Sequence, residues 1–252
     1  MPLLLIIAVF VLGLLLRLYG GLDTILFNYD QARDAFLAID ILKGDLKLIG
    51  PPTDLPGVFH GPLYYYFLAP LYYLGGLKPY LPVLGIIFLN LFAGIIFYIL
   101  AKKIFKSQFW GIISFLLYAV SFEAVSYARW LSNPTLVIPA YVIYLAGLWN
   151  KNWLLVVIGM GIAIQAQLFM LYLIPVTILY ILIFKPPLKR LCPSILLLFL
   201  LLSTYLVAEV KFNFQGLNGL IRFFGEHSSS INIFERFSNY FVSVYKVFQS
   251  NL

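Results

Sequence analysis

The chain is 252 residues long, 62% hydrophobic and only 11% charged, with a mean hydropathy of +0.95. A soluble domain is excluded, because its surface would be one exposed apolar patch. The net charge of +7 and the single cysteine, Cys192, leave no disulfide framework and no need of a nucleic-acid partner, since the basic excess divides by membrane side.

In chain order, residues 3–16, 82–101, 109–127, 134–149, 153–184 and 191–208 are apolar stretches near the length that crosses a hydrocarbon core of ~30 Å at ~1.5 Å per residue. The first lacks the basic start and small-residue cleavage site of a signal peptide and is read as a retained span, with Arg17 snorkelling from its end to the outer interface. As one helix, residues 153–184 would measure ~48 Å, with basic residues at both ends, so a hairpin turning near 165–171 is expected. The fold class expected is an all-α membrane protein of about seven spans with its amino terminus in the cytoplasm. On that topology Lys102, Lys103, Lys106, Lys151, Lys185, Lys189 and Arg190 face inward and all ten acidic residues face outward.

Between the first two spans lies an outer loop, residues 20–81. Ala32, Ala35, Phe36, Ile39 and Leu42 recur at helical spacing with Arg33, Asp40 and Lys43 opposite, predicting a short helix lying flat on the outer leaflet. Four prolines and four glycines in residues 43–62 turn the chain repeatedly and bring His60 back toward the start of this stretch. Pro62 then opens a second interfacial helix rich in tyrosine. Residues 1–209 thus form a transmembrane core that includes the outer loop, and residues 210–252, mixed polar and aromatic, are outside or interfacial.

No Walker loop, dinucleotide fingerprint, metalloprotease box or thiol pair occurs. What the loops deliver to one outer face is a set of polar side chains suited to chemistry on a lipid head group. Asp30 is the candidate catalytic base, with a helix N-cap as its plain structural role. Arg33 and Arg129 carry forked donors suited to a phosphate, or snorkel to lipid phosphates. His60 binds phosphate, ligates a metal or caps its turn; a divalent site from His60 with Glu226 or His227 is the one cofactor the residues allow. Tyr29, Tyr64, Tyr65 and Asn133 are the candidate pocket residues, the tyrosines alternatively forming an interfacial belt. Gln165 and Gln167 are read as helix-packing hydrogen bonders.

The segments Asn28-Tyr-Asp-Gln-Ala-Arg-Asp34, Phe59-His-Gly-Pro-Leu-Tyr-Tyr-Tyr66 and Tyr127-Ala-Arg-Trp-Leu-Ser-Asn-Pro134 resemble the GT-C superfamily of polyprenyl-phosphate-sugar glycosyltransferases, in the branch of the protein O-mannosyltransferases and the lipid A aminoarabinose transferase. The resemblance implies that Asp30 is the catalytic base, that residues 60–62 lie near the donor phosphate or metal, and that Arg129 and Asn133 stand where relatives carry an Arg and an Asp. Gln31 occupies a position that is usually acidic. It further implies a polyprenyl-phosphate sugar donor, a protein, lipid or glycan acceptor, a bilayer-embedded enzyme with an extracytoplasmic site, and a chain corresponding to the first part of a longer plan. Against it stand a multi-pass transporter or flippase, and an inactive fragment.

Overall fold

The computed structural model describes residues 2–227, together with residue 242. Among these, secondary structure is helical, and the sole β element is an isolated antiparallel bridge between Pro52 and Phe59. The helices are α1 (Pro2–Leu18), α2 (Tyr29–Leu42), α3 (Leu63–Leu74), α4 (Tyr80–Phe105), α5 (Gln108–Val120), α6 (Phe122–Ala128), α7 (Val137–Trp149), α8 (Trp153–Ala166), α9 (Leu173–Phe184), α10 (Leu188–Lys211) and α11 (Gln215–His227). Two of them, α4 and α10, are long and apolar enough to cross a membrane. The pair α5 and α6, bent by 59° at Ser121, would make a third as one span. The other apolar segments, α1, residues 133–149, α8 and residues 168–184, are shorter than a membrane-spanning helix.

The expected hairpin is present. Helix α8 stops at Ala166, and a 3-10 turn over Leu168–Tyr172 reverses the chain into α9. The two arms run antiparallel: Thr177 meets Met160, Tyr180 stacks edge-on against Trp153, and Lys151 lies over the Phe184 ring. Helix α8 is also pressed against α7, where a Cβ on Gly159 would meet the backbone of Ala140 and Tyr144; small residues let membrane helices approach this closely.

One expectation about polar placement is corrected. Arg17 does not snorkel but is fully buried. Its guanidinium donates to Asn90 Oδ1 of α4 at 3.1 and 2.8 Å, and to the carbonyls of Gly13 in α1 and Ala119 in α5 at 2.9 Å. It fastens three helices with hydrogen bonds that interfacial water would otherwise have to supply. Helix α2 leaves Phe36 and Leu42 exposed, free to face the leaflet on which the helix was expected to lie. It packs on α3 through Gln31, Asp34, Ala35 and Ala38, because the alanines allow close approach and the larger apolar residues do not. The stretch after Glu209, expected to be outside or interfacial, contains α11, whose Leu217 and Leu220 line a cavity with residues of α10 and the outer loop.

Candidate functional site

Helix α2 begins at Tyr29 with Asn28 as its N-cap, and Gln31 Oε1 accepts the Asn28 backbone N–H at 2.9 Å in the manner of a capping box. Asp30 therefore sits in the first turn rather than at the cap, where the positive end of the helix dipole favours a carboxylate. Its side chain is 63% exposed. One turn on, Arg33 joins two carboxylates: Nη1 donates to Asp30 Oδ1 at 2.7 Å, while Nε and Nη2 converge on Asp34 Oδ1 at 2.9 and 2.8 Å.

Asp34 is the residue that sequence reasoning passed over. Its side chain is only 2% exposed, and among the described residues Oδ2 has no regular hydrogen-bond partner. Burial pushes its carboxyl up to about 6, against the opposing pull of Arg33. Around it stand Tyr64, Tyr65 and Tyr72 of α3, all buried, each with a hydroxyl that no regular hydrogen bond satisfies. Tyr65 comes nearest to Asp34 and Arg33, and its burial raises the phenol above its ordinary range. Tyr64 and Tyr65 are thus neither an interfacial belt nor an open sugar platform. They are core residues against α2, whereas Tyr66 turns to bond the backbone of Lys47 and Tyr29 is 80% exposed beside Asp30.

His60 belongs to a different cluster. The outer loop folds back so that Gly50 N–H reaches the His60 carbonyl and His60 N–H reaches the Pro51 carbonyl, both at 2.9 Å. The loop then docks on the break after α8: Gly61 N–H donates to the Gln165 carbonyl at 2.9 Å, and the Leu168 N–H donates to His60 Nδ1 at 3.1 Å. A helix end leaves such groups unpaired, and this loop satisfies them. A Cβ at residue 61 would run into the Gln165 side chain, which would have to shift to admit it. Burial lowers His60 to about 4, with Asp54 acting weakly the other way. The imidazole is therefore neutral at pH 7, with only Nε2 left for any ligand, and it has no charge to offer a phosphate.

Asn133 joins the same cluster from the other side. It is buried, and its Nδ2 donates to the Ala166 carbonyl, so it caps α8 instead of lining a pocket. Gln165 Nε2 reaches Leu201 O and Thr204 Oγ1 of α10, and Tyr205 OH reaches the Ile164 carbonyl at 3.1 Å, which bears out Gln165 as a packing residue. Arg129 ends α6 and is engaged by the Tyr19 carbonyl and Thr24 Oγ1. The structure thus unites Asp30 with Arg33 and His60 with Asn133, and gives Arg129 partners of its own beyond α1.

An apolar cavity of about 340 Å³ opens beside the His60 loop, between Phe59, Leu171, Leu198, Leu202 and Leu217, with Glu209 on its rim. Asp30 and Arg33 do not line it. Among the described residues, no group of three His, Cys, Asp or Glu side chains could hold a metal ion. The side chains of Glu226 and His227, named with His60 as a metal set, lie outside the described residues. No protein-family model, curated protein or solved structure matches this chain.

Proposed function

We propose that this chain is an inverting membrane glycosyltransferase that uses a sugar on a polyprenyl phosphate, with Asp30 as general base. The observation that carries the proposal is the exposed Asp30 carboxylate, held by an arginine that is itself anchored on buried Asp34. In the reaction, an acceptor hydroxyl gives its proton to Asp30 as its oxygen bonds the anomeric carbon. The bond from that carbon to the phosphate oxygen breaks, and polyprenyl phosphate departs with the electron pair. Arg33 is the cation nearest the departing charge, and Asp34 keeps its fork aimed. The apolar cavity next to Phe59 suits a stretch of lipid tail.

Seven crossings, with the amino terminus and the lysine-rich turns inside and Asp30 outside, belong to this proposal. They give every basic turn a cytoplasmic location and the base an extracytoplasmic one. Membranes containing the protein, supplied with a panel of polyprenyl-phosphate sugars labelled in the sugar, should transfer label covalently to an acceptor. Asp30→Asn should lower that transfer about a hundredfold or more with unchanged expression. Wild-type turnover in this variant would remove the assignment. A second reading, transport of a lipid or sugar, is favoured by one observation, the buried Arg17, which has no ion pair among the described residues. It predicts label that crosses the membrane without becoming attached.

A further inference from the structure

Helix α4 spans 26 residues, ~39 Å at ~1.5 Å per residue, so a crossing that begins at Tyr80 brings its last turn to the head-group level of the opposite leaflet. There Lys102, Lys103 and Lys106 meet Tyr98, Ser107 and Gln108 around a cleft of about 430 Å³ with no carboxylate on its wall. None of the ion pairs among the described residues involves these lysines. The amino terminus of α5 opens at the same place, and Ser107 makes no side-chain cap to it. First-turn N–H groups and the helix dipole therefore add to the positive field.

The backbone is bent toward the same end. Lys106, Lys151 and Lys185 follow α4, α7 and α9 and all have left-handed conformations, with φ of 50°, 52° and 42°. Helix ends usually give this position to glycine, because a side chain makes it costly. The helix ends that carry these three lysines are linked through neighbouring residues: Lys103 Nζ donates to Asn150 Oδ1 at 2.9 Å, and Lys151 lies 4.6 Å from the Phe184 ring. Beside the cleft, exposed Trp110 packs edge to face with Phe109 and at a tilt with Phe105, and tryptophan is favoured at a membrane boundary.

We propose that the cleft at the α4–α5 turn binds the head-group phosphate of an anionic phospholipid from the adjoining leaflet. The lysines and the α5 amino terminus meet the phosphate, and the flanking aromatic residues rest on the acyl chains. This proposal is independent of the glycosyltransferase assignment.

The test uses purified protein equilibrated in bilayer discs of equal phosphatidylglycerol and phosphatidylcholine, with retained lipid counted by native mass spectrometry. Wild type should retain phosphatidylglycerol preferentially. Lys106→Gly should cut the preference about fivefold, given the usual worth of one lysine at an anionic surface; glycine accepts the local backbone, so the fold is kept. The triple change of Lys102, Lys103 and Lys106 to Gln should abolish the preference. Equal retention of the two lipids by wild type would overturn the proposal, as would an unchanged preference in folded Lys106→Gly. Displacement of the bound lipid by equimolar inorganic phosphate would overturn its assignment to a lipid head group.

Discussion

The polar cluster on α2–α3 and the polar cluster at the end of α8 are built on opposite principles. At α8, nearly every polar group has a fixed partner: His60 with Leu168, Gly61 with Gln165, Asn133 with Ala166, Tyr205 with Ile164, and Gln165 with α10; the Gln165 Oε1 is left over. At α2–α3, one carboxylate oxygen and three phenols are buried without a regular hydrogen bond among the described residues, Tyr65 coming nearest to one with Asp34 and Arg33. Satisfied groups make a latch, which fixes where the chain turns. Buried groups left unsatisfied are destabilising, by about 1–3 kcal/mol each, and such clusters are where activity is to be sought.

That contrast can be broken by substitution. Gly61→Ala, which drives a Cβ into the Gln165 side chain, should be the most damaging single change to the latch, costing about 2–3 kcal/mol. It should appear as a large loss of melting temperature in detergent. Asn133→Ala leaves the Ala166 carbonyl buried and unpaired and should cost about 1–2 kcal/mol in the same measurement. Tyr66→Phe removes a hydroxyl with two backbone bonds to Lys47 and should cost about 1 kcal/mol. Tyr72→Phe, by contrast, removes an unpartnered hydroxyl and should be neutral or slightly stabilising. Equal losses in the two tyrosine variants would mean that the Tyr72 hydroxyl is bonded.

The apolar segments were legible from sequence because an unbroken hydropathic run needs no partner to be recognised; the run 82–101 lies inside α4, and the turn near 165–171 coincides with the end of α8. The placement of α2 was not, since its periodicity favours Phe36 and Ile39 while its packing is decided by the small size of Ala35 and Ala38. Asp34 went inside as a consequence. Arg17 and Asn133 were misplaced for a similar reason: their partners, Asn90 and Ala166, lie 73 and 33 residues away. For Arg17 the available signal was the lone amide Asn90 inside an apolar run, where an amide asks for a partner.

The two clusters should also answer acid in opposite directions. Asp34 binds its proton more tightly in the folded chain, at about 6 against an ordinary 3.8, so it adds stability as pH falls through that window. His60 binds its proton less tightly, at about 4 against 6.5, so it removes stability as pH falls from 6.5 toward 4. Each effect is at most on the order of 2–3 kcal/mol, the His60 share reduced by its partial contact with solvent, and in the wild type they oppose each other. The direct measurement is the melting temperature of wild type, Asp34→Asn and His60→Gln in detergent from pH 7.5 to pH ~4.5. Relative to wild type, Asp34→Asn should lose stability on acidification and His60→Gln should gain it. Two variants that track the wild type, or shift in the same direction, would contradict the division of the molecule into a half-satisfied carboxylate site and a neutral latch.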